Sequence, residues 1–331
     1  GRTGAQLEAS KTFAKEVMER ANIPTARHAT FTDLASAHAY VERQDAPVVV
    51  KVDGLAAGKG VTVAKTLAEA HQALDDAMER RVFGDVGAVV VIEEFLEGAE
   101  LSVMALLSGD SYRFLPPAQD HKAALDGDRG PNTGGMGAFA PVPWVDDELL
   151  ATIRESVFDP LVAELAHRGI DYRGALYAGL MLTREGPQVI EFNVRFGDPE
   201  AQVILPLLEA DLLDVCMTIA NGKLEGVTLA QRPGCVVGVT LASEGYPGSY
   251  ATSLPVTLDP EGMGPETLLF HAGTRSEGGQ LLTAGGRVFT VVGLGADLAA
   301  ARHHAYAGAE RVSFQGMRYR SDIGLRPSPA S

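Results

Sequence analysis

The apolar residues of the chain recur in two spacings, one typical of helices and one of strands. Apolar positions three and four residues apart mark amphipathic helices, and we predict these over residues 6–21, 67–83, 146–168 and 201–220. Short continuous apolar runs mark buried strands, and we predict these over residues 46–52, 88–92, 101–107, 175–182 and 189–192. The mixture of both elements predicts an α+β fold.

The order of the elements suggests how the chain divides. Residues 47–92 read as a strand–loop–strand–helix–strand unit, which an acidic hinge follows. From about residue 226 onward, three further strands at residues 236–241, 268–271 and 287–292 precede a helix at residues 296–312. We interpret this last part as a separate α+β domain.

Composition narrows the class of protein. The 331 residues are enough for two or three domains, and 46% are hydrophobic, as in a globular protein. A formal net charge of −15 argues against a general binder of nucleic acid or of anionic membranes. We expect Cys216 and Cys235 to be buried free thiols, which favours a cytoplasmic protein. No apolar run reaches spanning length, and we expect neither a membrane-spanning segment nor a signal peptide in these residues.

Many of the 37 glycines lie in three polar loops, an early indication of phosphate handling. The first loop contains Gly54, Gly58, Lys59 and Gly60, and Lys51 precedes it. It differs from a Walker A loop in its spacing, in having Gly60 where Ser or Thr is needed, and in being followed by a strand. We interpret it as a hairpin whose amides and lysines fold over polyphosphate; a purely structural turn is the alternative.

The other polar segments carry further candidates. An extended hinge at residues 93–100 could bind an adenine edge through its backbone and a ribose through a carboxylate, although a solvated acidic turn has the same composition. Amides of the glycine-rich loop at residues 130–137, with Lys122 and Asn132, could hold an anionic small molecule, unless the loop is simply disordered. His121 could act as a base or as a hydrogen-bonding structural residue.

The segment of residues 189–200 is the most informative. Residues two apart on a strand share a face, so Glu191 and Asn193 should project together, while Ile190 and Phe192 face the opposite layer. A carboxylate beside an amide oxygen suits Mg²⁺. Arg195 and Asp198 follow in the adjoining loop, which makes a merely solvated strand end the weaker alternative.

Together these segments resemble the ATP-grasp enzymes, and among them the family of phosphoribosylamine–glycine ligases. The resemblance extends from Gln6 to Gly324 and depends most on four segments. These are residues 51–60, 119–122, 130–137 and 195–200, which occur in the family's order. It implies an ATP-grasp fold, in which two α+β lobes clasp ATP, followed by a smaller C-terminal α+β domain. The corresponding division is residues 1–21 with 93–226 for the central lobe, 22–92 for the lid lobe and 227–331 for the C-terminal domain.

The resemblance also implies an activity, the ATP-dependent joining of glycine to 5-phosphoribosylamine through glycyl phosphate in purine biosynthesis. The cofactors would be ATP and Mg²⁺, with Mn²⁺ as an alternative, and we expect a monomer without nucleic-acid or membrane partners. The implied ATP-binding residues are Lys51, Gly54, Gly58, Lys59, Gly60, Glu93, Leu96 and Glu100. The implied metal ligands are Glu191 and Asn193, and the implied catalytic residues are Arg195, Asp198 and Lys122. The implied substrate-binding residues are Asp120, Asn132, Thr133, Gly134 and Gly135.

The sequence departs from the family pattern in two ways. Many ATP-grasp relatives carry a third acidic metal ligand on the preceding strand, whereas residues 177–182 contain no acid. Family members also have an α/β domain before the position of Gln6. We therefore expect these residues to bind ATP but to ligate poorly without that domain. The alternatives are another ATP-grasp carboxylate–amine ligase, a relative of the biotin-dependent carboxylases, or a nucleotide-binding module without activity.

Overall fold

The computed structural model describes residues 1–56, 60–224 and 226–325. Three antiparallel sheets organise them. The first, which belongs to the predicted lid lobe, has the strand order β1–β4–β2–β3. Its strands are β1 (His28–Phe31), β2 (Val48–Val52), β3 (Val61–Ala64) and β4 (Val90–Glu94). Helices α3 (Leu34–Val41) and α4 (Leu67–Leu74) pack against this sheet and enclose a separate hydrophobic core.

The second sheet carries the segment that the sequence singled out. Its order is β12–β11–β5–β6. Its strands are β5 (Ala99–Ser108), β6 (Ser111–Phe114), β11 (Arg173–Thr183) and β12 (Gly186–Asn193). Four helices belong to the same part of the chain: α1 (Gln6–Ala9), α2 (Lys11–Arg20), α5 (Asp147–Ile153) and α6 (Asp159–His167). A π turn, Arg154–Phe158, joins the last two into one long helical segment, close to the predicted 146–168.

The third sheet crosses the predicted domain boundary. Its order is β15–β18–β13–β10–β7, and a further short strand pairs with β13. These strands are β7 (Gln119–Asp120), β10 (Gly137–Ala140), β13 (Cys235–Ser243), β15 (Thr267–His271), β18 (Arg287–Gly295) and β20 (Met317–Arg318). Helix α9 (Leu298–Ala309) packs on β18. Because β10 and β7 precede residue 227, the C-terminal strands continue a sheet that begins in the central lobe, and their apolar residues share one core with it.

The remaining elements are short. They are β8 (Ala123–Leu125), β9 (Arg129–Asn132), α7 (Glu200–Ile204), α8 (Leu212–Ala220), β14 (Thr257–Leu258), β16 (Thr274–Glu277), β17 (Gln280–Thr283) and β19 (Val312–Ser313). Strands β8 and β9 form a hairpin that precedes the second glycine-rich loop. No helix in the described part of the chain is long and apolar enough to cross a membrane.

Two predicted helices are interrupted. Ser10 has an extended backbone and its hydroxyl accepts a hydrogen bond from the Phe13 amide, so it ends α1 and caps α2. The predicted helix over residues 201–220 was also wrong as a single element. Pro206 lies in a short 3₁₀ turn after α7, and Asp211 caps α8 through the amides of Leu213 and Asp214.

The prediction of two buried thiols was wrong for Cys216, which lies on an exposed face of α8, whereas Cys235 is partly buried. The helix is amphipathic, and the buried side is formed by Val215 and Ile219. A helix of this kind presents neighbouring residues to opposite environments, so the apolar flanks of Cys216 did not report its burial.

Candidate active site

A cleft of about 760 Å³ lies between α2, the glycine loop of the lid sheet, and the end of β12. It brings together nine of the residues predicted from the sequence, which are Lys51, Gly54, Gly60, Glu93, Gly134, Glu191, Asn193, Arg195 and Asp198. Three cationic residues that the sequence analysis did not single out, Lys11, Lys15 and Arg287, also line it. Gly58 and Lys59 lie outside the described residues.

Glu191 and Asn193 project side by side into the cleft, and the Asn193 amide nitrogen lies 3.4 Å from the Glu191 carboxylate. The expectation for Ile190 was wrong. The pairing of β11 with β12 shifts between Gly179 and Leu180, which leaves Ile190 as an extra, bulged residue. Ile190 is partly exposed and lines the cleft with Glu191, whereas Phe192, which also borders the cleft, is 2% exposed and belongs to the hydrophobic core. Strand alternation alone could not show this bulge.

The oxygens of Glu191 and Asn193 fit a hard divalent cation such as Mg²⁺, which prefers carboxylate and amide oxygens and keeps positions for phosphate. The described part of the chain contains no group of three or more acidic, histidine or cysteine side chains placed to hold a metal. The third acidic ligand of many relatives is therefore not preassembled here. A cation at this pair would depend on water and on the phosphates of a nucleotide for its other ligands.

Basic residues surround the Glu191 carboxylate. Burial alone would raise the pKa of Glu191, but the charges of Lys122 and Lys51 outweigh it and lower that pKa. Burial would likewise lower the pKa of Lys122, but the carboxylates of Glu100 and Asp120 raise it well above its usual value. Glu191 is therefore ionised and Lys122 protonated at neutral pH.

Lys51 and Lys15 share the buried carboxylate of Glu93. Lys51 lies 2.8 Å from one oxygen of Glu93 and Lys15 lies 3.2 Å from the other, and all three side chains are less than 10% exposed. Lys51 also donates a hydrogen bond to the carbonyl of the bulged Ile190. Two cations on one carboxylate leave positive charge facing the cleft. Glu93 thus lies in β4 as the anchor of these lysines.

A second set of contacts fixes the glycine loop on α2. Asp53 accepts hydrogen bonds from the Thr12 amide and the Ser10 hydroxyl, and Lys11 donates to the Gly54 carbonyl at 3.1 Å. Gly54 has φ = +149°, and a Cβ there would come within 3 Å of Val86. The first turn of α2 therefore aligns a lysine with the start of the loop.

Burial lowers the pKa of Lys15 to about 8, and its attraction to Glu93 opposes this shift. The folded protein thus loses the Lys15 proton at a lower pH than the unfolded chain, whose lysine pKa is 10.5. Between these two values the unfolded state binds more protons, so stability should rise with pH there. We expect the free energy of unfolding to rise by at most about 1.4 kcal/mol per pH unit relative to Lys15→Met. Urea titrations at several pH values would measure the difference, and parallel curves would contradict it.

Arg195 is positioned by the first helix. Its Nε donates to Glu8 at 2.9 Å, and the other oxygen of Glu8 accepts the Val194 amide. A second guanidinium nitrogen lies 3.3 Å from the Asn193 side-chain oxygen. The Arg195 side chain is more than half exposed and lines the cleft. Arg195 is thus held at the cleft, next to the Glu191–Asn193 pair.

Arg287 links Asp198 to the second glycine-rich loop. Its guanidinium donates to the Asp198 carboxylate at 2.9 Å and to the Gly134 carbonyl at 2.6 Å. The Gly134 amide in turn donates to the Tyr246 hydroxyl. Asp198 also accepts a hydrogen bond from Gln202. The contribution of β18 to the cleft is therefore an arginine that bridges two predicted site segments.

The turn between Arg195 and α7 encloses a buried acid. Glu200 is 3% exposed and accepts a hydrogen bond from Ser102, whose hydroxyl also contacts Tyr177. A Cβ at Gly197 would lie 2.5 Å from the Glu200 carboxylate, so a larger residue there would require the Glu200 side chain to move. Glu200 therefore packs against the turn at Gly197 and joins it to Ser102 of β5.

Several predicted site residues lie next to the cleft without lining it. Leu96 is in the connection between β4 and β5, and Glu100 is paired with Lys122 at 3.2 Å. The remaining ones are Asp120, Asn132, Thr133 and Gly135, which surround Gly134 in sequence or precede Lys122. Thr133 fixes this loop because its amide and its hydroxyl both donate to the Lys122 carbonyl. His121 is fully buried, which favours its structural alternative.

Lys11 and Lys15 lie on α2, within the stretch from Gln6 to Gly324 over which the sequence resembles the family but outside the four segments on which that resemblance mostly depends. Neither lysine belongs to a motif of its own. Arg287 had no local signal, because its position depends on the pairing of β18 with β13 and hence on the third sheet.

Comparison with known proteins gives a consistent family. The model of the phosphoribosylglycinamide synthetase ATP-grasp (A) domain matches residues 9–201, and that of the C domain of the same synthetase matches residues 236–326. The phosphoribosylamine–glycine ligase of Leptospira interrogans is 47% identical over 97% of this chain and 76% of its own length. That of Nostoc sp. is 49% identical over 98% of this chain and 77% of its own length.

Solved structures agree. The crystal structure of the phosphoribosylamine–glycine ligase from Thermotoga maritima has a TM-score of 0.89 and 38% identity, covering 96% of this chain and 79% of that one. The biotin carboxylase domain of the Hydrogenobacter thermophilus 2-oxoglutarate carboxylase, solved with MgADP, has a TM-score of 0.72 at 17% identity. It covers 94% of this chain and 67% of that one, and at this identity it shows only a common fold. The predicted α+β ATP-grasp fold is thus confirmed, and the chain belongs to the phosphoribosylglycinamide synthetase family.

Proposed function

We propose that the cleft performs the reaction for which the relatives are named, the ATP-dependent ligation of glycine to 5-phosphoribosylamine. The observation that carries this assignment is the position of three lysines beside a pair of metal-binding oxygens. Three lysines, Lys11, Lys15 and Lys51, line the same cleft as the oxygen pair of Glu191 and Asn193. Cations that neutralise phosphate oxygens, beside ligands for a divalent ion, are what phosphoryl transfer requires of a protein.

The reaction has two steps. A carboxylate oxygen of glycine attacks the γ-phosphorus of ATP, the bond to the bridging oxygen of ADP breaks, and glycyl phosphate forms. The amine of 5-phosphoribosylamine then attacks the acyl carbon, loses a proton, and inorganic phosphate leaves. The products are glycinamide ribonucleotide, ADP and phosphate, and the reaction is a step of purine biosynthesis.

The residues of the lysine cluster would stabilise charge in the first step. Lys11 and Lys51 are held by the Gly54 carbonyl and by Glu93, so they need little reorganisation when phosphate charge shifts. Glu191 and Asn193 would hold Mg²⁺, which supplies charge neutralisation and alignment of the phosphates when bound. Mn²⁺, which accepts similar oxygen ligands, is an alternative. For the nucleoside, the connection at Leu96 and the carboxylate of Glu100 remain our proposed contacts.

The second step would use the part of the cleft that Arg195, Asp198, Gly134 and Arg287 line. Arg195 and Arg287 present guanidinium groups there, and Asp198 is held by Arg287 at the Gly134 loop. We infer that this part holds the acyl phosphate and the amine, with Asp120, Lys122 and the loop of residues 132–135 around them. Holding reactants together can offset on the order of 7–11 kcal/mol of the barrier for ideal alignment.

The lid lobe would keep water from the acyl phosphate. Its sheet has a core of its own, and its edge strand β3 leads directly from the glycine loop that borders the cleft. An element of this type can close over a nucleotide as a unit. A bound acyl phosphate would otherwise be lost to hydrolysis. A monomer in the cytoplasm remains our prediction.

The proposal is tested by leaving out one substrate at a time. We expect the 331 residues to bind ATP with Mg²⁺, and we expect phosphate release to require ATP, glycine and 5-phosphoribosylamine together. The amine can be generated in the assay from ammonia and ribose 5-phosphate, and the family's N-terminal domain is supplied in fusion or in trans. Phosphate release that proceeds equally with bicarbonate in place of glycine would instead favour a carboxylase-like reaction.

A further inference from the structure

The hairpin of β8 and β9 connects the cleft to the C-terminal end of the described chain. At its base, Lys122 precedes β8 and Thr133 follows β9, and these two residues are joined by the hydrogen bonds to the Lys122 carbonyl. Gly134, which lines the cleft, comes next. At its tip, the turn of residues 126–128 lies against residues 320–322. The hairpin therefore has one end at the site and one at the C-terminal segment.

Hydrophobic packing holds this hairpin only weakly. All four residues of β9 are exposed, and Leu125 at the end of β8 is 39% exposed. Ala123 is its buried apolar residue. A two-stranded hairpin has marginal stability without such packing. Its position must therefore depend on polar contacts made elsewhere.

Arg320 supplies two of these contacts, one to the first residue of β8 and one to the turn of the hairpin. Its side chain is 1% exposed, and one guanidinium nitrogen donates to the Asp128 carboxylate at 2.9 Å and to the Ala123 carbonyl at 3.0 Å. Two other nitrogens donate to Asp322 at 2.6 and 2.7 Å. Arg320 thus holds the first residue of β8, the turn of the hairpin and its own segment through one buried guanidinium.

Two neighbours complete the contact. Asp126 accepts hydrogen bonds from the amide and the hydroxyl of Ser321. Asp322 accepts one from the amide of Gly127 at 2.9 Å. Each residue of the turn therefore meets the C-terminal segment. A contact of this density at the tip fixes the direction of the strands, and it acts on the loop at the base together with the hydrogen bonds of Gly134 to Arg287 and Tyr246.

We propose that Arg320 is a positioning residue, which places the loop of residues 133–135 for the substrates that react with the acyl group, not for ATP. The proposal rests on the proposed function. The side chains assigned to ATP phosphates and metal lie on α2, β2 and β12 and make no contact with Arg320 among those the structure describes. Loss of Arg320 should therefore impair the binding or reaction of the amine substrate and leave the binding of ATP largely unchanged.

The test compares Arg320→Met with wild type and with Arg320→Lys, which keeps the charge without the planar set of donors. We expect Arg320→Met to raise the KM for 5-phosphoribosylamine, or lower kcat, by about tenfold or more, because small misplacements at a reacting centre have large costs. The Kd for ATP should change much less, since the proposed phosphate and metal contacts on α2, β2 and β12 remain and only the pair of Lys122 with Glu100 adjoins the base of the hairpin. Arg320→Lys should recover only part of the loss. Lysine keeps the positive charge, but it cannot reproduce the two-point contacts of the arginine guanidinium.

Arg311→Met is the matched control, because Arg311 forms a half-exposed ion pair with Asp259 in the same region without touching the hairpin. Asp128→Asn is a second variant in case Arg320→Met does not fold, since Asp128 is about half exposed. Hydrogen exchange gives a readout that does not need turnover. Amides of the hairpin and of Thr133 should exchange faster in Arg320→Met and in Asp128→Asn, but not in Arg311→Met.

Unchanged exchange at Thr133, or equal losses for ATP and for the amine, would overturn the positioning role. If the wild-type protein forms no product from glycine and the amine, the proposed function is contradicted. Faster exchange at Thr133 in Arg320→Met would still show that Arg320 positions the loop. The two failures are therefore distinguishable.

Discussion

Replacing Glu191 with glutamine should lower the rate of ligation by about a hundredfold or more while the protein stays folded. Glutamine keeps the shape of the side chain but removes the negative charge beside Asn193. Loss of one well-placed electrostatic partner at a transition state costs roughly 3 kcal/mol. Glu191 is in the cleft wall and not in the hydrophobic core, so its replacement opens no cavity, but Lys122 and Lys51 lose a charge partner and urea titrations should show a moderate loss of stability. Steady-state kinetics across a range of Mg²⁺ concentrations would measure the effect.

Glu185→Gln is the matched control for this experiment. Glu185 lies in the turn that joins β11 to β12, where its side chain is exposed and away from the cleft. It should ligate at the wild-type rate. Normal turnover of Glu191→Gln at ordinary Mg²⁺ concentration would show that the oxygen pair is not the metal site.

Replacing Arg287 with methionine should produce the second large loss, again about a hundredfold in kcat/KM for the amine substrate. The change removes the donors that bridge Asp198 and the Gly134 carbonyl. Asp198 would keep its contact with Gln202, but the loop and the carboxylate would no longer be tied together. ATP binding should be affected much less, because Arg287 does not contact the lysine cluster in the described structure. Parallel measurement of the Kd for ATP and the KM of the amine separates these effects.

Arg275→Met serves as the control for Arg287, since Arg275 is an exposed arginine that pairs with Glu277 on the hairpin of β16 and β17. It should behave as wild type. Equal loss in both variants would indicate a general effect of removing positive charge. Wild-type kinetics for Arg287→Met would show that Arg287, the contribution of β18 to the cleft, has no role in the reaction.

The strands and the shared face of Glu191 and Asn193 were predictable because their signals are local. The apolar runs of β2, β4 and β11 are continuous, and the alternation at Glu191 and Asn193 places both side chains on the same face. The interruptions at Ser10 and Asp211 were missed although both are common capping residues, because the apolar period continues across them.

The rest of the site depends on long-range pairing. Arg287 reaches Asp198 because β18, β13 and β10 form one sheet, and the bulge at Ile190 depends on how β12 pairs with β11. Neither pairing can be recognised from the residues next to it in the sequence. The same holds for Glu93, whose place in an acidic segment suggested a solvated or hinge residue, whereas two lysines from distant segments bury it.

The most direct test of the central claim follows the oxygen atoms of glycine. In the assay with all three substrates, glycine carrying heavy oxygen in its carboxylate should transfer one labelled oxygen to inorganic phosphate for each product formed. This transfer follows because the attacking carboxylate oxygen stays with phosphorus when the amine displaces it from the acyl carbon. Mass spectrometry of the phosphate measures it, and Glu191→Gln provides the blank. Phosphate that is labelled to the extent of product supports ligation through glycyl phosphate in this cleft, and product formed together with unlabelled phosphate would contradict it.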